Sequence, residues 1–242
     1  MSVHRRRACA ERPSVLSVRL QQLLKPSHFV ASPVSTLLSR LLPIRPALAL
    51  LMAAGMLVTS AAQAWTLSVG AASRRVFLHV GNGSAEANNG TINRVEVSLT
   101  GAALIGGAPQ PMTTNSTQSR SLWGDGYTTC PNPASQIMIG ASYRRTNSGP
   151  ASATLSVSSP PNLTSASGDT IPFSEIGWSV SAPGSTTPNV IPAGNFNGAQ
   201  QTLATIAANT YIENCHSFTY ANSAARAAGT YDGRVTYTLT SP

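Results

Sequence analysis

A period of two dominates the chain from residue 65 onward. Trp65, Leu67 and Val69 alternate with Thr66 and Ser68. Val76, Leu78 and Val80 alternate with Arg75, Phe77 and His79, and Val95, Val97 and Leu99 with Arg94, Glu96 and Ser98. Each pattern predicts a strand with one face in the core and one in water. Further short strands are predicted at residues 137–144, 154–158, 176–180, 201–206 and 217–221. The clearest is 234–240, where Val235, Tyr237 and Leu239 share one face and Thr236, Thr238 and Thr240 the other. Gly81-Asn82-Gly83, Asn88-Asn89-Gly90 and Gly106-Gly107 with Pro109 and Pro111 supply the reversals between strands. Glu, Lys, Leu and Gln are scarce in this part of the chain, so helix signals are weak. Many short strands at this spacing predict an all-β fold, a single antiparallel β-sandwich, with no fixed-period repeat.

The first 64 residues follow a different logic. Residues 47–58 (ALALLMAAGMLV) form an uncharged apolar run, preceded by Arg40 and Arg45 and followed by Ala62-Gln63-Ala64. Basic flank, short apolar core and small-x-small ending compose a secretory signal with cleavage expected after Ala64. The run is too short for a spanning helix, which needs roughly 20 apolar residues. The organisation expected is therefore a leader and signal peptide over 1–64 and a sandwich domain over 65–242, with no membrane span in the mature chain. Residues 1–39 show no sustained period and read either as an unusually long leader or as the product of a start assigned too early. The expected location is outside the cytoplasm: periplasm, cell surface or medium.

Charge falls into place once the leader is set apart. The formal net charge of +8 suggests a nucleic-acid partner, but residues 1–64 hold eight basic residues and one acid. Residues 65–242 hold eight Arg, no Lys and seven acids, a net of +1. That leaves no phosphate-neutralising patch in the body of the protein, and no nucleic-acid partner is expected.

Export also decides how the cysteines read. Cys9 departs with the leader, leaving Cys130 and Cys215 in an oxidising compartment, where one disulfide is expected. Cys215 and His216 are neighbours on a strand and point to opposite faces. No Cys-x-x-Cys or His-x-x-x-His spacing occurs, so neither a metal site nor a bound cofactor is expected.

Catalytic reagents are few: the mature chain has seven acids and two histidines, His79 and His216, and lacks a Gly-x-Ser-x-Gly elbow. Asp125, Asp169 and Asp232 adjoin glycines and read as turn formers, leaving Glu175 and Glu213 as the other candidate acids. His216 reads as a strand-edge histidine without a catalytic task, and no enzyme activity is expected. Trp123 and Tyr127, in Trp123-Gly124-Asp125-Gly126-Tyr127, form a candidate ligand loop of the sugar-stacking kind. Trp178, between Ile176 and Val180, reads as a core tryptophan.

The C-terminal stretch Ala227-Ala228-Gly229-Thr230-Tyr231-Asp232-Gly233-Arg234-Val235-Thr236-Tyr237-Thr238-Leu239-Thr240 joins a Gly, an aromatic and a turn Gly to a long alternating strand. It resembles the last strand of chaperone–usher pilins, including colonisation-factor-type fimbrial subunits and the spore coat protein U group. The resemblance implies an immunoglobulin-like sandwich that lacks one strand. Its groove would be filled first by a periplasmic chaperone and then by the N-terminal extension of the next subunit. Val235, Tyr237 and Leu239 would line the acceptor groove, and Trp65, Leu67 and Val69 would form the donor strand. The function expected is an exported structural or adhesive surface subunit that assembles with copies of itself. The alternative is a monomeric secreted carbohydrate- or protein-binding module that takes a glycan or a protein surface at Trp123 and Tyr127.

Overall fold

The computed structural model describes residues 12–23, 65–68, 70–71, 73–82, 93–122, 128–146, 151–181 and 191–242. The chain divides into two compact units, and all described residues belong to the one made of Met1–Leu24 and Ala62–Pro242. In chain order the elements begin with β1 (Arg12–Leu23), β2 (Trp65–Ser68), β3 (Arg75–Val80), β4 (Asn93–Thr100) and the short helix α1 (Gly101–Gly106). Then come β5 (Gln110–Pro111), β6 (Thr113–Thr114), β7 (Ile137–Arg144), β8 (Ser152–Ser158), β9 (Asn162–Ser165) and β10 (Thr170–Pro172). The chain ends with β11 (Ile176–Ser181), β12 (Gly194–Asn195), β13 (Gln200–Ala207), β14 (Thr210–Tyr220) and β15 (Gly229–Thr240).

Among the described residues the strands form two sheets that pack as a β-sandwich. The eight-stranded sheet runs β10-β9-β15-β1-β4-β6, with β8 beside β15 and β13 beside β8; the seven-stranded sheet runs β12-β11-β14-β7-β3, with β2 and β5 on β14. Pairing is antiparallel except between β1 and β4, which run parallel. Alternation fills the space between the sheets. Ile137, Ile139, Ala141 and Tyr143 of β7 face inward, as do Leu155 and Val157 of β8 and Val235, Tyr237 and Leu239 of β15. Trp178 is buried too, 4.8 Å from Phe196, and donates its indole N–H to the carbonyl of Pro192 at 2.9 Å. Burial of each large apolar side chain contributes roughly 1.5–3 kcal/mol.

Local chemistry fixes several of the reversals. Gly81 is required twice over, by its φ of +67° and because the amide of Asn93 occupies the place of a Cβ there. That buried amide donates to the Val80 carbonyl at 2.6 Å and accepts from the Asn82 N–H at 3.0 Å, which ties the end of β3 to the start of β4. Helix α1 opens with Thr100, whose hydroxyl accepts from the Ala103 N–H at 3.2 Å, and closes on Gly107 at a φ of +64°.

In the uncut chain, residues 1–64 contribute β1, an interior strand of the larger sheet. Three expectations require correction. Asp232 and Gly233 do not form a turn: both lie within β15, which runs unbroken from Gly229 to Thr240. The second face of β3 is only partly wet: Arg75 is exposed, but Phe77 is half-buried and His79 is buried. Finally, β14 begins at Thr210, well before the predicted 217, so His216 lies on a central strand and not at an edge.

Candidate functional site

Strand β15 has neighbours on both sides. On one edge Thr236–Thr240 pairs with β8 and Tyr231–Asp232 with β9. On the other, its length from Gly229 to Leu239 pairs with β1. Across β1 the next strand is β4, joined from Leu16↔Asn93 to Leu23↔Thr100. Thus β1 lies in a slot whose walls are β15 and β4. Val18, opposite Gly233 and Val95, and Leu20, opposite Tyr231 and Val97, are fully buried there. Between them Arg19 reaches outward to Asp232 at 3.7 Å; both side chains are well exposed, so the pair contributes little to stability.

Val235, Tyr237 and Leu239 stand opposite Leu16, Ser14 and Arg12 of β1 respectively, with Tyr237 and Leu239 also opposite Val157 and Leu155 of β8, and all three are buried. Burial also keeps the Tyr237 phenol protonated far above its usual range. Gly233 allows the slot to pack, because a Cβ there would come within 2.6 Å of Phe173 and 2.7 Å of Leu163.

Trp65 and Leu67 lie on the other sheet. Strand β2 pairs with β14 from Ser68↔Thr210 to Trp65↔Glu213; Val69 falls outside the described residues.

The outer face of the smaller sheet carries a second cluster. Cys130 and Cys215 form a disulfide and are buried together with Met138. The bond holds the segment after β6 against β14, and that segment closes on itself through the Cys130 N–H, which donates to the Ser119 carbonyl at 3.0 Å, and a bridge between Arg120 and Thr128. Ser121 donates its hydroxyl to Glu213 Oε2 at 2.9 Å, and the Tyr211 hydroxyl donates to the same oxygen. Burial first, then the charge of Glu213 and the hydrogen bond to it, raise the Tyr211 pKa well above the tyrosine range, so Tyr211 remains a donor. Gly140 makes room for this, since the Tyr211 hydroxyl occupies the place of its Cβ. His79, in the same cross-strand row, is lowered to a pKa of about 4 by burial. Trp123 and Tyr127, the candidate ligand loop, fall outside the described residues, as does Asp125.

His216 points the opposite way from Cys215, into the sandwich. There it stacks 6.3 Å from Trp178, and burial lowers its pKa to about 3. With Cys215 oxidised, the two cannot form a nucleophile–base pair. The acids are dispersed over different elements: Asp169 accepts from Ser167 at 2.7 Å in the turn after β9, and Glu175 accepts from the Ser223 N–H at 3.1 Å and faces Arg226 at 3.8 Å. Among the described residues no three His, Cys, Asp or Glu side chains gather to hold a metal ion.

What this arrangement can do chemically is bind an extended chain. Two parallel rows of backbone N–H and C=O groups, over a floor of apolar side chains, recognise a strand by its main chain and by its alternate residues. Sequence reasoning missed β1 because its alternation, Leu16, Val18 and Leu20 against Ser17, Arg19 and Gln21, is short and embedded in a basic leader. Comparison with protein-family models, with curated proteins and with solved structures finds no match to this chain.

Proposed function

We propose that the chain, once exported and cut after Ala64, is a structural or adhesive surface subunit that assembles by β-strand addition. The observation that carries this reading is the origin of β1: an interior strand of the larger sheet comes from upstream of the expected cleavage site. Its loss leaves β15 and β4 with unpaired backbone edges and uncovers the apolar floor that Val18 and Leu20 fill. Unpaired edges of this kind are stabilised by another chain's strand.

The segment after Ala64 suits the vacancy. Trp65, Leu67 and Val69 have the spacing of Leu16, Val18 and Leu20, and Thr66 and Ser68 fall at the positions of Ser17 and Arg19. In this register Leu67 of a second copy lies opposite Gly233. To donate, the segment must leave its own molecule, where among the described residues the short β2 pairs with β14 and the Gly70 carbonyl accepts from Arg144 at 2.9 Å. A periplasmic chaperone would hold the slot before a second copy arrives.

Deletion of residues 65–72 from the processed chain tests the donor. The expected outcome is a folded protein that no longer self-associates on a sizing column. Multimers that persist after the deletion would show that the donor lies elsewhere.

A further inference from the structure

The strand-addition reading leaves open what fills the slot before the leader is lost. Resting on that reading, we propose that the slot between β15 and β4 is a peptide-binding site whose first occupant is the chain's own Arg12–Leu23 segment. Release of this segment by loss of its covalent tether is then what makes the site available to another molecule.

Three observations support this. First, β1 is paired along both sides, with β15 from Arg12 to Gln22 and with β4 from Leu16 to Leu23, so its main chain is satisfied as that of an interior strand. Second, Val18 and Leu20 are fully buried while Arg19 between them meets Asp232, which sets the strand's face as well as its register. Third, the segment lies on the far side of the expected cleavage point from the body that holds it.

The tether decides how firmly the occupant is held. Joined through residues 24–64, β1 enters the slot as an intramolecular ligand, whose effective concentration does not fall on dilution. Cutting the tether leaves every contact in place but makes the association bimolecular, so dilution or a competing strand can remove the segment. The ligand class follows from the walls: an extended peptide running antiparallel to β15 and parallel to β4, apolar at two alternate positions opposite Gly233 and Tyr231, with a basic residue allowed opposite Asp232.

Lys25 is the only lysine in the chain, so a protease that cuts on the amino side of lysine severs β1 from the body with one cut after Leu24. The test uses the full chain, translated without membranes so that the leader stays attached, and oxidised to form the disulfide. After the cut, fragment 1–24 is expected to co-elute with the body on a sizing column and to keep the amides of β15 and β4 protected from hydrogen exchange. An excess of synthetic peptide 12–23 should displace it. The same peptide carrying Val18→Asp and Leu20→Asp should bind about a hundredfold more weakly or worse, because it would bury two charges.

Loss of the fragment on cutting, with no change in exchange at β15 and β4, would overturn the proposal. If the fragment is held and displaced as expected but the freed body stays monomeric, the slot's occupancy stands and the strand-addition reading fails. If the fragment never protects the slot and the processed chain still multimerises, strand addition stands and this inference fails.

Discussion

Gly233 carries no side chain because there is no space for one: Phe173 and Leu163 occupy it, at 2.6 and 2.7 Å from where a Cβ would be. Gly233→Ala should therefore destabilise the full chain by about 1–3 kcal/mol through overpacking. Gly229→Ala, whose Cβ would meet nothing nearer than 3.7 Å, should change the urea midpoint far less. Equal midpoints for the two variants would contradict the packing argument. The buried histidines predict a pH dependence. His79 and His216 have pKa values lowered from 6.5 to about 4 and about 3 in the folded chain, so below pH 6.5 the unfolded chain binds protons that the folded chain does not. Stability accordingly rises with pH through the window from about 4 to 6.5 and is lost as the pH falls through it. Each histidine contributes a slope approaching about 1.4 kcal/mol per pH unit midway between its folded and unfolded pKa values. His216→Phe should remove its share of that slope, measured as urea midpoints at pH 4.5 and 8; an unchanged slope would place His216 in water.

At the scale of elements, β1 and the disulfide both join distant parts of the chain. Leu20→Asp puts a carboxylate where β1 is fully buried and should cost several kcal/mol, on the order of the penalty for burying an unpaired charge. Arg19→Ala removes an exposed ion pair and should change stability by no more than about 1 kcal/mol. Both are read from thermal unfolding of the full chain, and a larger effect from Arg19 would mean that the strand is held by its outer face. Reduction of Cys130–Cys215, which are 85 residues apart, should lower stability by roughly 4.5 kcal/mol in the chain-entropy model. It should also free the Ser121 end of the segment laid over Glu213, which tryptophan fluorescence would register. Elements with several alternating residues were legible in the sequence: β7 occupies residues 137–144 as read, and β3, β4, β8, β11 and β13 lie within a residue or two of their predicted places. Two-residue strands such as β5, β6 and β12 are too short to carry a period. The burial of His79 was not legible either, because it depends on its place in a cross-strand row with Gly140 and Glu213 from distant parts of the chain. Asp232-Gly233 misled because its turn chemistry is overridden by a packing demand that appears only when Phe173 and Leu163 arrive from elsewhere.

For the whole molecule, the all-β sandwich and the disulfide followed from patterning and cysteine arithmetic, and the buried positions of Val235, Tyr237 and Leu239 followed from alternation on one strand. The slot did not, because it is a relation between three strands, one of which lies in a segment set aside as leader. Under the proposed cleavage after Ala64, the larger sheet has two covalent states, one with its strand attached and one without. The most direct measurement is the native mass of chain 65–242, on a sizing column and on an SDS gel run with and without boiling. A ladder of multiples that collapses on heating is the expected result, since strands exchanged between copies are held by a full set of backbone pairs. A single heat-insensitive monomer would contradict it and would mean that β15 and β4 close the sheet without a strand from another molecule.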